Sequence, residues 1–151
     1  MITLLNINDL KPHERINEKH LEELIEEIRK DGVLKKPIVV DFKTKVILDG
    51  HHRVEALKRL GCNLIPAALV DYFNESIVLD TWKDLNGKKP SKKDVIRNAL
   101  QGLLFPPKTT KHMVMVDGKI LHISEIVGEV NFPLYKLLGQ KRASVFSVNA
   151  L

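Results

Sequence analysis

The sequence predicts an α+β fold: a small mixed β-sheet with helices packed around it. Three observations point there. Short β-rich runs alternate with helical periodicity along the whole chain. The 151 residues are 44% hydrophobic but only 5% aromatic, so the core must be aliphatic. No internal repeat and no low-complexity linker divides the chain, so residues 1–151 read as a single domain. Its tail from about residue 124 is unassigned.

The elements follow in order. Residues 2–8 read as a short strand, broken at Leu10-Lys11-Pro12. Asn17 is an N-cap for a helix over 18–31, where Leu21, Leu24, Ile25 and Ile28 share one face and Gly32 stops the run. Pro37–Val40 and Lys45–Leu48 are β-rich and joined across Lys43-Thr44 as a hairpin. Asp49-Gly50 turns the chain into a second helix from near His52 to Leu60, stopped by Gly61. Ile65–Tyr72 reads as a strand, and 76–82 is open between strand and helix. Asn86–Pro90 reads as a surface turn. Ser91 with Asp94 is a capping box opening a helix over 92–101. Phe105-Pro106-Pro107 cannot be helical. Asp117-Gly118 joins the strands 113–116 and 119–123. A short helix is predicted over 133–138, and the tail from Gln140 is weakly patterned.

Lys and Arg number 24 against 19 Asp and Glu, a net charge of +5. That favours an anionic partner, nucleic acid or a phosphorylated small molecule. One cysteine, Cys62, excludes an internal disulfide framework and a cysteine-based zinc cage, and reads as a packing residue. No apolar run approaches the length of a membrane helix, and Met1–Asn6 lacks the basic start of a signal peptide. The expectation is a cytoplasmic protein with no membrane partner.

The densest chemistry lies in Ile47-Leu48-Asp49-Gly50-His51-His52-Arg53, a strand that delivers polar side chains into a helix start. Free N–H groups and the helix dipole attract phosphate there. Gly50 permits close backbone approach, and Arg53 can grip phosphate oxygens in bidentate fashion. The plainer reading is a strand–turn–helix junction with Asp49 as cap. A second cluster is Phe105-Pro106-Pro107-Lys108-Thr109-Thr110-Lys111-His112. In extended conformation Lys108, Thr110 and His112 share a face, suited to a phosphate or carboxylate; a solvated basic turn reads equally well. Glu14, in Pro12-His13-Glu14-Arg15, reads either as a general base or as an acid favouring the helix dipole. Trp82, the lone tryptophan, is ordinary core filler when read alone.

Taken together, Pro12-His13-Glu14, Gly32-Val33-Leu34-Lys35-Lys36-Pro37-Ile38-Val39-Val40 and Leu48-Asp49-Gly50-His51-His52-Arg53 resemble the ParB/sulfiredoxin-type nucleotide-binding fold over residues 5–72. The Asp-Gly-His-His-Arg form, Trp82 and Pro107–His112 resemble the free serine kinases (SerK-like) and carry the likeness to about residue 116. Sulfiredoxin-like proteins carry a catalytic cysteine where His51 stands. Chromosome-partitioning ParB proteins have Glu-Arg-Arg after the glycine, followed by a helix-turn-helix domain.

The resemblance implies phosphoryl transfer from ATP or ADP to the hydroxyl of free L-serine, giving O-phospho-L-serine for cysteine or related amino-acid biosynthesis. It implies Glu14 as general base. Asp49 would orient the hydroxyl or hold Mg²⁺. Gly50, His51, His52 and Arg53 would bind the nucleotide phosphates. Trp82, Lys108, Thr110 and His112 would bind the substrate. The alternative is a non-catalytic ParB-like module binding nucleotide or DNA. The small charge excess, the few aromatics and the lack of a helix-turn-helix pattern disfavour nucleic acid.

Overall fold

The computed structural model describes residues 2–81 and 89–138. Its centre is a four-stranded mixed sheet in the order β1-β5-β3-β4, from β1 (Ile2–Asn6), β3 (Ile38–Asp41), β4 (Ile47–Asp49) and β5 (Leu64–Val70). β5 runs antiparallel to β1 and parallel to β3, and β3 pairs antiparallel with β4.

Both faces of this sheet are covered, which explains why β3 opens with three consecutive buried apolar residues, Ile38, Val39 and Val40, rather than an alternating pattern. Ile38, Val40, Ile47 and Ile65 face one core, completed by Leu21 and Ile28 of α1 (Glu18–Asp31) and by Val54 and Leu57 of α2 (His51–Arg59). Val39, Leu48 and Ala68 face the other. There they meet Val95 of α3 (Lys92–Gln101) and Val114 of a three-stranded antiparallel sheet. That sheet consists of β6 (Ile77–Thr81), β7 (Thr110–Val116) and β8 (Lys119–His122).

The helices begin and end where local chemistry directs. Asn17 accepts from the His20 N–H at the start of α1, and Gly32 closes it in the left-handed region (φ 70°). Ser91 and Asp94 form a reciprocal capping box on α3. The second helix starts at His51, a residue earlier than the sequence suggests, because Gly50 itself serves as N-cap. The first expected strand stops at Asn6, whose side chain accepts from the Asn8 N–H and starts a 3-10 turn over Ile7–Asp9. The strand expected to reach Ile123 ends at His122, where a reciprocal cap with Glu125 opens a 3-10 turn. The helix expected over 133–138 is a 3-10 turn, Leu134–Leu137.

Residues 124–138 belong to the same body. β9 (Phe132–Pro133) pairs antiparallel with β2 (Val33–Leu34), and Leu137 is wholly buried in the α1/α2 core. Cys62 is a buried free thiol in that core. Trp82, most of the expected 86–90 turn and the tail from Gln140 lie outside the described residues.

Candidate active site

Strand β4 ends at Asp49 and α2 begins at His51, with Gly50 between them at φ 108°. A Cβ on Gly50 would stand 2.4 Å from the Ile38 Cγ2. Glycine is therefore required both by conformation and by the floor beneath it. No side chain caps α2. The Val54 N–H donates to the Gly50 carbonyl, so the N–H groups of His51, His52 and Arg53 precede the first intrahelical bond. Asp49, the cap candidate in the sequence, instead accepts from Arg53 Nη2 at 2.7 Å. Arg53 Nη1 donates to the carbonyls of Pro37 (2.8 Å) and Lys36 (3.3 Å). The guanidinium is thus anchored on the β3 approach before any ligand arrives.

The His52 Nε2 accepts from the Asn17 N–H at 2.9 Å, and its ring stacks on His20 with centroids 4.4 Å apart. This ties the start of α2 to the start of α1. Desolvation and the neighbouring His20 hold His52 below its ordinary pKa.

The opposite wall is assembled from two distant segments. The Phe105 N–H donates to the His13 carbonyl (2.8 Å) and the Arg15 N–H donates to the Phe105 carbonyl (2.9 Å). These bonds zip the loop before α1 to the proline loop before β7. Within the zipper the Lys108 N–H donates to Glu14 Oε1. Thr110 donates to Glu14 Oε2 through its hydroxyl (2.6 Å) and its N–H (3.3 Å). Lys108 takes a left-handed conformation (φ 59°) that turns its N–H onto the carboxylate, and its side chain stays exposed.

A cleft of about 420 Å³ lies between the walls. Glu14, Asp49, Gly50, His51, His52, Arg53, Lys108, Thr110 and His112 all line it. Arg15, His20 and His122 join them. Thr109 is buried away from the cleft, its hydroxyl donating to the Pro106 carbonyl at 2.7 Å. A neighbouring recess of about 330 Å³ shares Leu24, Asp49 and Arg53 with the cleft and has Ile28, Val33 and Leu34 as apolar walls.

Behind Glu14 stands a buried polar group that sequence reasoning missed as such. The His13 Nε2 lies 2.9 Å from Thr110 Oγ1, and the Tyr72 hydroxyl lies 2.8 Å from His112 Nε2. The rings of His13 and His51 are 4.6 Å apart, and those of His13 and His112 are 5.7 Å apart. Burial pushes His13 down to about 4 and His112 to about 3, and holds His51 well below its ordinary value. These imidazoles are neutral at pH 7. The one sequence signal for His13 is its place beside Glu14; for Tyr72 there is none.

The donor set bears on Mg²⁺. Among the described residues no cluster of three or more His, Cys, Asp or Glu is arranged to hold a metal. Asp49 is the carboxylate on the α2 side of the cleft, engaged through one oxygen by Arg53. That fits an ion carried mainly by phosphate oxygens, which needs only one or two protein carboxylates.

An open helix start at a strand's carboxyl end thus faces a carboxylate and a lysine across a cleft of this α+β protein. The chain belongs to the ParB N-terminal domain family, which it matches over residues 1–80. It is 41% identical over 83 residues to an ATP-dependent L-serine kinase of Staphylothermus marinus, covering 52% of this chain and 33% of that protein. It is 34% identical over 130 residues to an ATP-dependent L-serine kinase of Desulfurococcus mucosus, covering 82% of this chain and 51% of that protein. The chain thus spans between a third and about half of the length of these curated relatives. Its fold matches a solved free serine kinase in complex with AMP, with a TM-score of 0.73 at 18% identity over 90% of this chain and 93% of that one. No helix among the described residues is long and apolar enough to cross a membrane.

Proposed function

We propose that this protein is a free L-serine kinase. It transfers the terminal phosphoryl group of ATP or ADP to the hydroxyl of L-serine and releases O-phospho-L-serine and the shortened nucleotide. One observation carries the reading: the open start of α2 faces the Glu14 carboxylate across a single cleft.

The phosphates rest on the N–H groups of His51, His52 and Arg53, with the helix dipole behind them. The side chain of Lys108, exposed at the cleft, adds a mobile cation. The apolar recess beside Leu24 and Val33 suits the adenine base, because it opens from the cleft next to Arg53. Asp49 would hold Mg²⁺ brought in with the nucleotide, and the ion would supply charge neutralisation. Glu14 takes the proton from the serine hydroxyl as the new oxygen–phosphorus bond forms and the bond to the leaving nucleotide oxygen breaks. Thr110 and His112 complete the wall from which Glu14 acts, and Trp82 remains a candidate contact for the amino acid.

Incubation of the protein with L-serine, Mg²⁺ and either nucleotide, followed by mass detection of O-phosphoserine, tests the reading. Product with one donor and not the other assigns the nucleotide. Retarded migration of a DNA fragment with no phosphoserine formed replaces the kinase with a ParB-like binding module.

A further inference from the structure

A hydroxyl carries one proton, and this fixes the hydrogen bonding behind Glu14. The 2.6 Å contact between Thr110 Oγ1 and Glu14 Oε2 needs a proton between the two oxygens. With Glu14 ionised, that proton is the threonine's. The 2.9 Å contact from His13 Nε2 to the same Oγ1 must then be an N–H donation from the imidazole. His13 is completely buried, and a neutral ring protonated at Nε2 has a bare Nδ1. Nδ1 is a buried atom without a hydrogen bond of regular geometry among the described residues, and the Ile47 carbonyl beside the ring is a competing acceptor for an imidazole N–H. The main chain of His13 is held as well, its N–H donating to His51 Nε2 at 3.2 Å.

The consequence falls on Glu14. Each carboxylate oxygen offers about two lone-pair sites. Oε2 accepts two donors, the N–H and the hydroxyl of Thr110, and is full. Oε1 accepts the Lys108 N–H alone and keeps one site open.

We propose that His13 is a positioning residue for phosphoryl transfer: through Thr110 it saturates Glu14 Oε2, so that the substrate proton is received at Oε1. The proposal rests on the kinase reading and adds which atom is basic and what aims it. His13 touches neither nucleotide nor serine in this scheme. Its effect belongs in kcat, not in the KM for either substrate.

A mutant cycle with a tautomer measurement tests it. Gln can present an amide N–H near the position of the histidine Nε2, whereas Asn reaches only the position of Nδ1. His13→Asn is expected to lower kcat about tenfold or more, the effect of losing one hydrogen bond in a charged network, with KM for nucleotide and serine changed less than about twofold. His13→Gln retains kcat within about threefold of the parent. In a Thr110→Val background, where the relay is already cut, His13→Asn costs less than about twofold more. Equal losses in both backgrounds, or equal losses for Asn and Gln, overturn the relay. Nitrogen NMR of the parent needs no variant: the Nε2–H tautomer of His13 is expected, and the Nδ1–H tautomer overturns the proposal. Absence of phosphoserine from the parent sinks the kinase reading, and with it the catalytic meaning of the relay, whatever the tautomer.

Discussion

The wall of the cleft from Asp49 to Arg53 is contiguous in sequence, whereas the facing wall joins Glu14 to Lys108 and Thr110 across 94 and 96 residues. The first is shaped by a strand end, a left-handed glycine and a helix start, all local events. It presents N–H groups and a pre-anchored guanidinium, the equipment for binding. The second exists only when two loops are zipped by backbone hydrogen bonds, and it holds a carboxylate by donors on both oxygens. In the proposed function, binding falls to the wall that forms locally, and proton transfer to the wall that requires the completed fold.

The sharpest division comes from Glu14→Gln. Turnover should fall by about 10²–10⁴-fold while nucleotide affinity, set by the other wall, stays within about threefold. Steady-state rates with calorimetry measure both, and turnover close to the parent's would pass the proton to Asp49.

Acid should strike the assembled wall through His13 and His112. Their folded pKa values, about 4 and about 3, lie below the ordinary 6.5. The unfolded chain therefore binds protons that the folded chain refuses, so stability is full above pH 6.5 and declines as pH falls through that value. At pH 5 the loss is about 2 kcal/mol for each histidine. Denaturant melts at pH 7 and pH 5 check it, and equal midpoints would mean these rings take up protons in the fold as readily as in the unfolded chain.

Gly50→Ala breaks the contiguous wall. The new Cβ meets Ile38 at 2.4 Å in a backbone region hostile to side chains, at an expected cost of about 2–4 kcal/mol. Weaker nucleotide binding accompanies it. A loss under about 1 kcal/mol in urea melts would show that Ile38 moves aside.

Arg53 sharpens the same wall more gently. Nucleotide affinity should fall in the order parent, Arg53→Lys, Arg53→Ala, by about tenfold for alanine, with serine affinity steady at saturating nucleotide. Unchanged affinity in the alanine variant would confine Arg53 to its pairing with Asp49 and the Pro37 carbonyl.

The smallest effect belongs to Thr109→Val. Its hydroxyl shapes the proline loop and does not line the cleft, so stability should drop by about 1 kcal/mol with turnover within about threefold. A large kinetic loss would show that the loop's geometry, and not only Glu14's donors, controls transfer.

By itself the sequence determined what depends on neighbours within about a helical turn. The Asn17 cap, the stop at Gly32, the box at Ser91 and Asp94, and the Asp117-Gly118 turn (φ 50° and 78°) are all legible there. So is the cradle, because Asp49, Gly50 and the first turn of α2 are consecutive. The alternation that puts Thr110 and His112 on the cleft side is also a local rule of extended chain, whereas Lys108 reaches the cleft from a left-handed turn before the strand begins. Only the tertiary structure decided that Phe105 lies between the carbonyl of His13 and the N–H of Arg15, that Thr110 serves Glu14, and that residues 132–133 return to pair with β2. The charge states of His13, His51 and His112 belong there too. An imidazole's protonation answers to the water it has lost and the donors packed against it, and those are supplied by segments that meet only when the chain has folded.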